Sequence, residues 1–260
     1  LWFNNEDMRT HALIFGSTGA GKTEALLSLS YNALLQGSGF IYVDGKGDNS
    51  LFAKVFSMVR SMGREDDLLV INFMTGGSDI IGPQSKLLSN TMNPFAIGSS
   101  SMLSNLVVSL MDSGSSGGSD GDMWKGRAIS FIEALMKPLT WLRDEGHLLL
   151  DAGLIRRYFT IEALEDLLYD RKIIDSFGNI NVMEKGLPFE VRDPLDNYMA
   201  SLPGYKKSDK GKQSAKVYEQ HGYIIMQLTR IFGSLADTYG HIIKTQLAEV
   251  DFNDVILNRR

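Results

Sequence analysis

The chain opens with short apolar runs set between stretches of helical spacing. Residues 11–15 (His-Ala-Leu-Ile-Phe) form a brief apolar run that leads straight into a glycine-rich turn. From Lys22 to Gln36 the positions Leu27, Tyr31, Leu34 and Leu35 recur at helical spacing, and Gly37 stands where such a helix stops. A second run, Phe40–Val43, ends at Asp44. Leu51, Val55, Met58, Val59 and Met62 mark one face of a second helix closed by Gly63, and Leu68–Phe73 reads as a third strand. Strands alternating with helices predict right-handed crossovers and a mostly parallel sheet covered on both faces.

After Phe73 the rhythm changes. Thr75–Phe95 is turn-rich, Ser99–Val108 enters a helix, and Ser113–Asp122 (SGSSGGSDGD) predicts a flexible loop. From Met123 to about Gln246 nearly every periodic signal is helical. Thr160 is placed to cap a helix carrying Ile161, Leu164 and Leu168. A longer helix, from about Ser214 to Leu235, carries Val217, Ile224, Leu228, Ile231 and Leu235 on one stripe. There is no internal repeat. The outline is an α/β domain followed by a helical insertion.

Composition narrows the function classes. With 260 residues, 43% hydrophobic and 22% charged, the chain reads as an ordinary globular protein of one large or two small domains. A formal net charge of −5 supplies no global field to recruit nucleic acid, so a DNA contact would need a local patch. The absence of cysteine excludes disulfides and thiolate metal sites. No apolar stretch approaches the ~20 residues of a membrane-spanning helix. The start at Leu1 without a methionine and the end on Val255–Arg260 read as cuts in a longer protein.

The row Gly16-Ser17-Thr18-Gly19-Ala20-Gly21-Lys22-Thr23 matches G-x-x-x-x-G-K-[ST] at every fixed position, with an apolar strand before it and an amphipathic helix after it. Glycines let the backbone turn tightly, so that its N–H groups converge on phosphates, and the helix N-terminus adds field at the same place. Lys22 is expected to reach the β- and γ-phosphates and Thr23 to offer its hydroxyl to Mg²⁺, making ATP and Mg²⁺ the expected ligands. The bland alternative is a glycine-rich turn that happens to contain Lys-Thr, which the strand–turn–helix context disfavours.

Asp44-Gly45-Lys46-Gly47-Asp48 closes the second apolar run. Ligands of parallel sheets sit at the carboxyl ends of strands, so Asp44 could orient water or Mg²⁺ and Lys46 could reach a phosphate. A plain turn with Asp48 or Asn49 capping the next helix fits equally well. Hydrolysis normally requires an acid at the end of another strand. The nearest match, Leu148-Leu149-Leu150-Asp151, lies in a helical neighbourhood and reads as a decoy. No complete hydrolytic site is found, and the catalytic residues stay unassigned. Either the acid-bearing strand lies beyond Arg260 or the domain binds without hydrolysing.

The remaining chemistry-bearing residues read as structural. His11, His147, His221 and His241 show no ligand spacing, and His221 falls on the apolar stripe as a core histidine. Trp124 and Trp141 sit in helical segments as core residues; Trp2 carries no reading. The basic run Tyr205–Lys212, with Lys216 close behind, reads first as a solvated loop and second as a contact for nucleic acid or an acidic partner.

With GSTGAGKT, VDGKGD and a helical insertion before any acid-bearing strand, the chain resembles the type IV coupling proteins, the VirD4/TraG/TraD-like ATPases within the FtsK/HerA group of DNA pumps. Asp44-Gly45-Lys46-Gly47 looks like their D-x-K-G segment. Asn93-Pro94-Phe95 followed by Trp124-x-x-x-Ala128 looks like their entry into an all-alpha domain. The wording over residues 11–49 and 250–260 is most similar to the coupling ATPases of type IVB (Dot/Icm) secretion systems, with IncI-type conjugation proteins as near relatives. The resemblance implies an α/β fold: a RecA-like P-loop NTPase core, incomplete in this chain, with an all-α inserted domain. The boundaries it suggests are 1–127, 128–250 and 251–260. It also implies an ATPase at the cytoplasmic face of the bacterial inner membrane, anchored by a segment absent here and working as a homo-hexamer. The implied partners are other coupling-complex subunits and secreted protein substrates, with DNA possible. Two classes compete with this motor reading: a small-molecule kinase, for which no acceptor site is seen, and a non-hydrolysing nucleotide-binding scaffold.

Overall fold

A computed structural model describes residues 6, 10–47, 49–74, 89–112, 119–243 and 247–258, without the side chains of 112 and 119–122. The structure divides into two compact units, 1–70 with 250–260, and 71–249.

The first unit is built on two helices, α1 (Lys22–Leu35) and α2 (Asn49–Ser61). Gly37 (φ 69°) and Gly63 (φ 64°) follow them in the left-handed conformation that ends a helix. Leu27 and Leu34 of α1 meet Leu51, Val55 and Val59 of α2 in a small core, flanked by Phe40, Tyr42, Met58, Met62 and Leu68. Tyr31 and Leu35, expected on the apolar face of α1, are exposed. A short helix, α10 (Phe252–Leu257), also belongs to this unit, its cap Asp251 accepting from Asn253 N–H at 2.9 Å.

The expected strands at 11–15, 40–43 and 68–73 form no ladder, Phe73 falling in a turn, and the two-stranded sheet of the described residues lies elsewhere. The expected parallel sheet is not present among the described residues. In 40–43 the side chains do alternate as in a strand, Phe40 and Tyr42 packing inward while Ile41 and Val43 are exposed. Periodicity records which face is buried, whereas a strand exists only where a neighbouring backbone completes its hydrogen bonds.

The second unit is a helical assembly around α4 (Ser119–Asp144), which packs on α3 (Ser100–Asp112), α7 (Phe189–Ser201) and α8 (Ala215–Gly233). Short helices α5 (Ala152–Arg157), α6 (Ile161–Tyr169) and α9 (Gly240–Ile243) complete it, and a π-turn, Ser234–Thr238, extends α8. Phe131 of α4 lies at the centre, its ring against Phe159, Tyr198 and His221. Val217, Ile224 and Leu228 of the expected stripe are buried, with Ile231 and Leu235 partly so. Trp124 and Trp141 pack on the same core. Ser119–Asp122, expected in a flexible loop, form the first turn of α4; residues 113–118 lie outside the described residues.

The segment expected to be all helical also contains a hairpin. β1 (Lys172–Ile174) pairs antiparallel with β2 (Ile180–Val182), in register Ile173 to Asn181. Its turn is organised by Asp175, whose carboxylate accepts from the N–H groups of Phe177 (2.9 Å) and Asn179 (2.8 Å) and from the Asn179 amide (2.9 Å).

Candidate nucleotide-binding site

The glycine-rich row forms a loop that delivers the chain directly into α1. Gly19 and Gly21 both stand at φ 83°, a conformation that costs an L-residue about 1–2 kcal/mol. A Cβ on Gly16 would come within 3.1 Å of Ala20 Cβ and 3.3 Å of Lys22 Cγ. The turn is closed by Ala20 N–H donating to Ser17 O (3.2 Å), and α1 begins with Ala25 N–H donating to Gly21 O (3.0 Å). No side chain caps α1, so the first amides of a 14-residue helix keep their donors for an anion.

Lys22 is folded back over the loop. Its ammonium donates to Gly16 O (2.6 Å) and Ser17 O (2.7 Å), which holds the charge above the backbone turn. Thr23 is exposed in the first turn of α1. Glu24, beside them, forms an ion pair with Lys54 of α2, which offsets the one carboxylate at this helix end. The set of backbone donors, one ammonium and one hydroxyl fits a polyphosphate with a divalent cation. Ser17, Thr18 and Ala20 contribute backbone in an exposed stretch.

Asp44 and Lys46 form a turn of their own, Lys46 N–H donating to Asp44 Oδ1 at 2.9 Å. Both side chains are exposed. Of the two expected helix caps, Asp48 lies outside the described residues and Asn49 is the first residue of α2.

Outside the loop the structure gives the other highlighted residues structural work. Asp151 is buried and caps α5, its Oδ1 accepting from Leu154 N–H at 2.7 Å. Thr160 caps α6, accepting from Ala163 N–H at 3.3 Å. His221 is buried, with Nδ1 2.7 Å from the Tyr198 hydroxyl and Nε2 2.8 Å from Phe159 O. Asn93 is buried and donates to Leu150 O (2.8 Å), while Arg143 donates to Phe95 O (3.0 Å) and Gly98 O (2.7 Å).

The basic run folds against α6 instead of lying free. Lys207 sits 4.3 Å from the Tyr169 ring centre, and Lys210 pairs with Asp166 (3.4 Å) and Asp170. Lys172 reaches the same two acids at 3.3 and 3.1 Å. These two lysines hold the half-buried Asp170 carboxyl down at about 2. Glu165, itself buried, accepts from Gly211 N–H and the Gln213 amide, each at 2.8 Å. Periodicity could not announce this latch, because its acids lie some forty residues before its lysines.

No protein-family model matches the chain. Among curated proteins, the Type 4 coupling protein DotL of Legionella pneumophila subsp. pneumophila is 69% identical over 261 aligned residues. The alignment takes in 100% of this chain and 33% of that relative, so the chain spans about a third of the relative's length.

Proposed function

We propose, for a chain that carries DotL-type coupling-protein sequence along its whole length, that the Gly16–Thr23 loop binds ATP·Mg²⁺. The larger protein would use that nucleotide to recruit and deliver substrates to a type IV secretion channel. Support comes from the loop itself: two left-handed glycines, an uncapped helix start and an ammonium held above the turn.

In this reading Lys22 exchanges its two carbonyl acceptors for the β- and γ-phosphate oxygens, and the amides at the start of α1 orient the chain of phosphates. Mg²⁺ supplies neutralising charge between the phosphates, with Thr23 as the protein's hydroxyl ligand. Asp44 and Lys46, held together in one turn, are the next groups to meet the nucleotide. The RecA-like core, the helical domain acting as recruitment surface, the hexameric ring and the membrane anchor belong to the same proposal. Among the described residues no helix is long and apolar enough to cross a membrane.

A second reading is a scaffold that binds nucleotide without hydrolysing it. It is favoured by the engagement of Asp151 in capping α5, which removes from catalysis the acid of the nearest sequence match to an acid-bearing strand. Two measurements separate the readings. Lys22→Ala in the full-length protein should lower ATP turnover by at least about a hundredfold under the motor reading. In this 260-residue chain the same substitution should weaken binding of a fluorescent ATP analogue under both. Equal turnover in the two full-length proteins sinks the motor, and equal analogue binding sinks the site itself.

A further inference from the structure

The strand β2 forms an edge of the hairpin that no described residue covers. Its hydrogen-bonding phase follows from two flanking bonds: Met183 N–H to Arg171 O (2.8 Å) and Asp175 N–H to Asn179 O (2.9 Å). Bonded pairs alternate along an antiparallel ladder, so Ile173 and Asn181 bond to each other. The pairs Ile174–Ile180 and Lys172–Val182 turn their N–H and C=O groups outward. On the β1 side the outward groups of Ile174 are taken by the Tyr158 hydroxyl, which accepts from its N–H (2.7 Å) and donates to its carbonyl (3.3 Å). On the β2 side the outward groups of Ile180 and Val182 have no such partner among the described residues.

The side chains compound this exposure. Ile180 is 61% and Val182 65% exposed on one face, and Phe177 at the turn is 82% exposed. Natural sheets blunt a free edge with short strands, lysine, proline or a bulge, and of these β2 has its shortness alone. Positive charge stands at both ends of the strand. Arg157 lies against the turn, where a Cβ on Gly178 would fall 2.9 Å from its Nη1. Arg171, at the open end, donates to Glu184 O (2.9 Å), and Lys185 is exposed next to it. None of these three cations forms an ion pair with a carboxylate among the described residues, and of the nearby acids only Glu184, exposed beside Lys185, is not engaged. Asp175 serves the turn, Asp166 and Asp170 hold Lys172 and Lys210, and Asp237 holds Arg156.

We infer that β2 is a docking edge for an added strand: an extended segment of a partner protein with apolar side chains at alternate positions and acidic residues at its ends. Outward amides supply main-chain bonds, Ile180 and Val182 receive the apolar side chains, and the end cations select acidic flanks. A second copy of this chain suits the edge poorly. Two β2 strands paired about a twofold axis would set Arg157 of one copy against Arg171 and Lys185 of the other. The inference stands apart from nucleotide binding at Gly16–Thr23.

The test uses the 260-residue chain and two fluorescein-labelled peptides, Glu-Glu-Ile-Thr-Val-Glu-Glu and its lysine-flanked counterpart. The acidic peptide should bind and shift the Ile180 and Val182 amide resonances, and the lysine peptide should bind at least about tenfold more weakly. Val182→Pro deletes one outward donor without touching the Ile173–Asn181 bonds, and should weaken the acidic peptide by about tenfold. The Asn181 amide should keep its exchange protection in that variant, showing an intact hairpin. Arg157→Gln should narrow the preference for acidic flanks. The inference is overturned by no binding of the acidic peptide, by equal binding of both peptides, or by undiminished binding to Val182→Pro. A dimer of the unliganded chain that Val182→Pro dissolves would also overturn it, by giving the edge to a second copy.

Discussion

Lys22 and His221 show how differently two polar side chains can be placed. Lys22 holds two backbone carbonyls at a half-exposed loop, an arrangement a phosphate can replace at modest cost. His221, on α8, is sealed against α4 and α7, with the edge-on ring of Phe131 beside it and a hydrogen bond at each nitrogen. The carbonyl of Phe159 can only accept, so Nε2 carries the proton and Nδ1 accepts from Tyr198. Burial holds the His221 pKa below its ordinary 6.5. The unfolded chain therefore takes up the proton first as pH falls. The stabilisation is fully present above about pH 6.5 and disappears as the pH drops through the lower folded value. Urea midpoints should fall between pH 7.5 and 5 in the wild-type chain, and fall less in His221→Gln. Parallel declines in the two proteins would remove His221 from the explanation. At the loop, Gly21→Ala forces a side chain into the left-handed conformation and should cost about 1–2 kcal/mol, read from the same midpoints.

At the scale of elements, much was legible where a local rule decides the outcome. Thr160 before Ile161, Leu164 and Leu168 announced α6, and the stripe from Val217 to Leu228 announced α8, because caps and helical spacing act within a few residues. The glycine-rich row likewise predicted a turn feeding α1. Other outcomes turn on detail that periodicity does not carry. Leu148-Leu149-Leu150-Asp151 has the look of a strand ending on an acid, but its helical neighbourhood marks it as a decoy, and its acid caps α5. The hairpin passed unseen although Asp175-Ser176-Phe177-Gly178-Asn179 is a plain turn signal, since strands of three residues give periodicity little to count. Asp151→Ala should therefore cost about 1–2 kcal/mol in chemical denaturation and leave ATP-analogue binding unchanged. A loss of binding without loss of stability would restore Asp151 to the site. Glu165→Ala removes the acceptor that latches residues 206–213 and leaves the buried Gln213 amide short of one acceptor. It should destabilise by about 2–3 kcal/mol, with faster amide exchange at Gly211.

At the scale of the whole molecule the two units differ in how much apolar surface they bury. The second carries a continuous core from Phe95 to Phe232, with Phe131, Leu135, Leu139 and Leu142 of α4 fully buried. The first rests on five buried apolar side chains of α1 and α2, while Leu13, Phe15, Ile41 and Val43 stay exposed in its non-helical segments. Burial of a large aliphatic or aromatic side chain contributes about 1.5–3 kcal/mol, so the first unit should open far more readily. A ligand that binds its folded form alone then stabilises it by RT ln(1 + [L]/Kd), about 2.7 kcal/mol at a hundredfold excess over Kd. In hydrogen–deuterium exchange the amides of α4 and α8 should exchange slowest, and those of α1 and α2 fastest among the helices. Addition of ATP and Mg²⁺ should slow α1 and α2 by up to about a hundredfold and leave α4 and α8 unchanged, with no effect in Lys22→Ala. Slowing confined to α4 and α8 would place the nucleotide in the helical unit and take the Gly16–Thr23 loop out of the account.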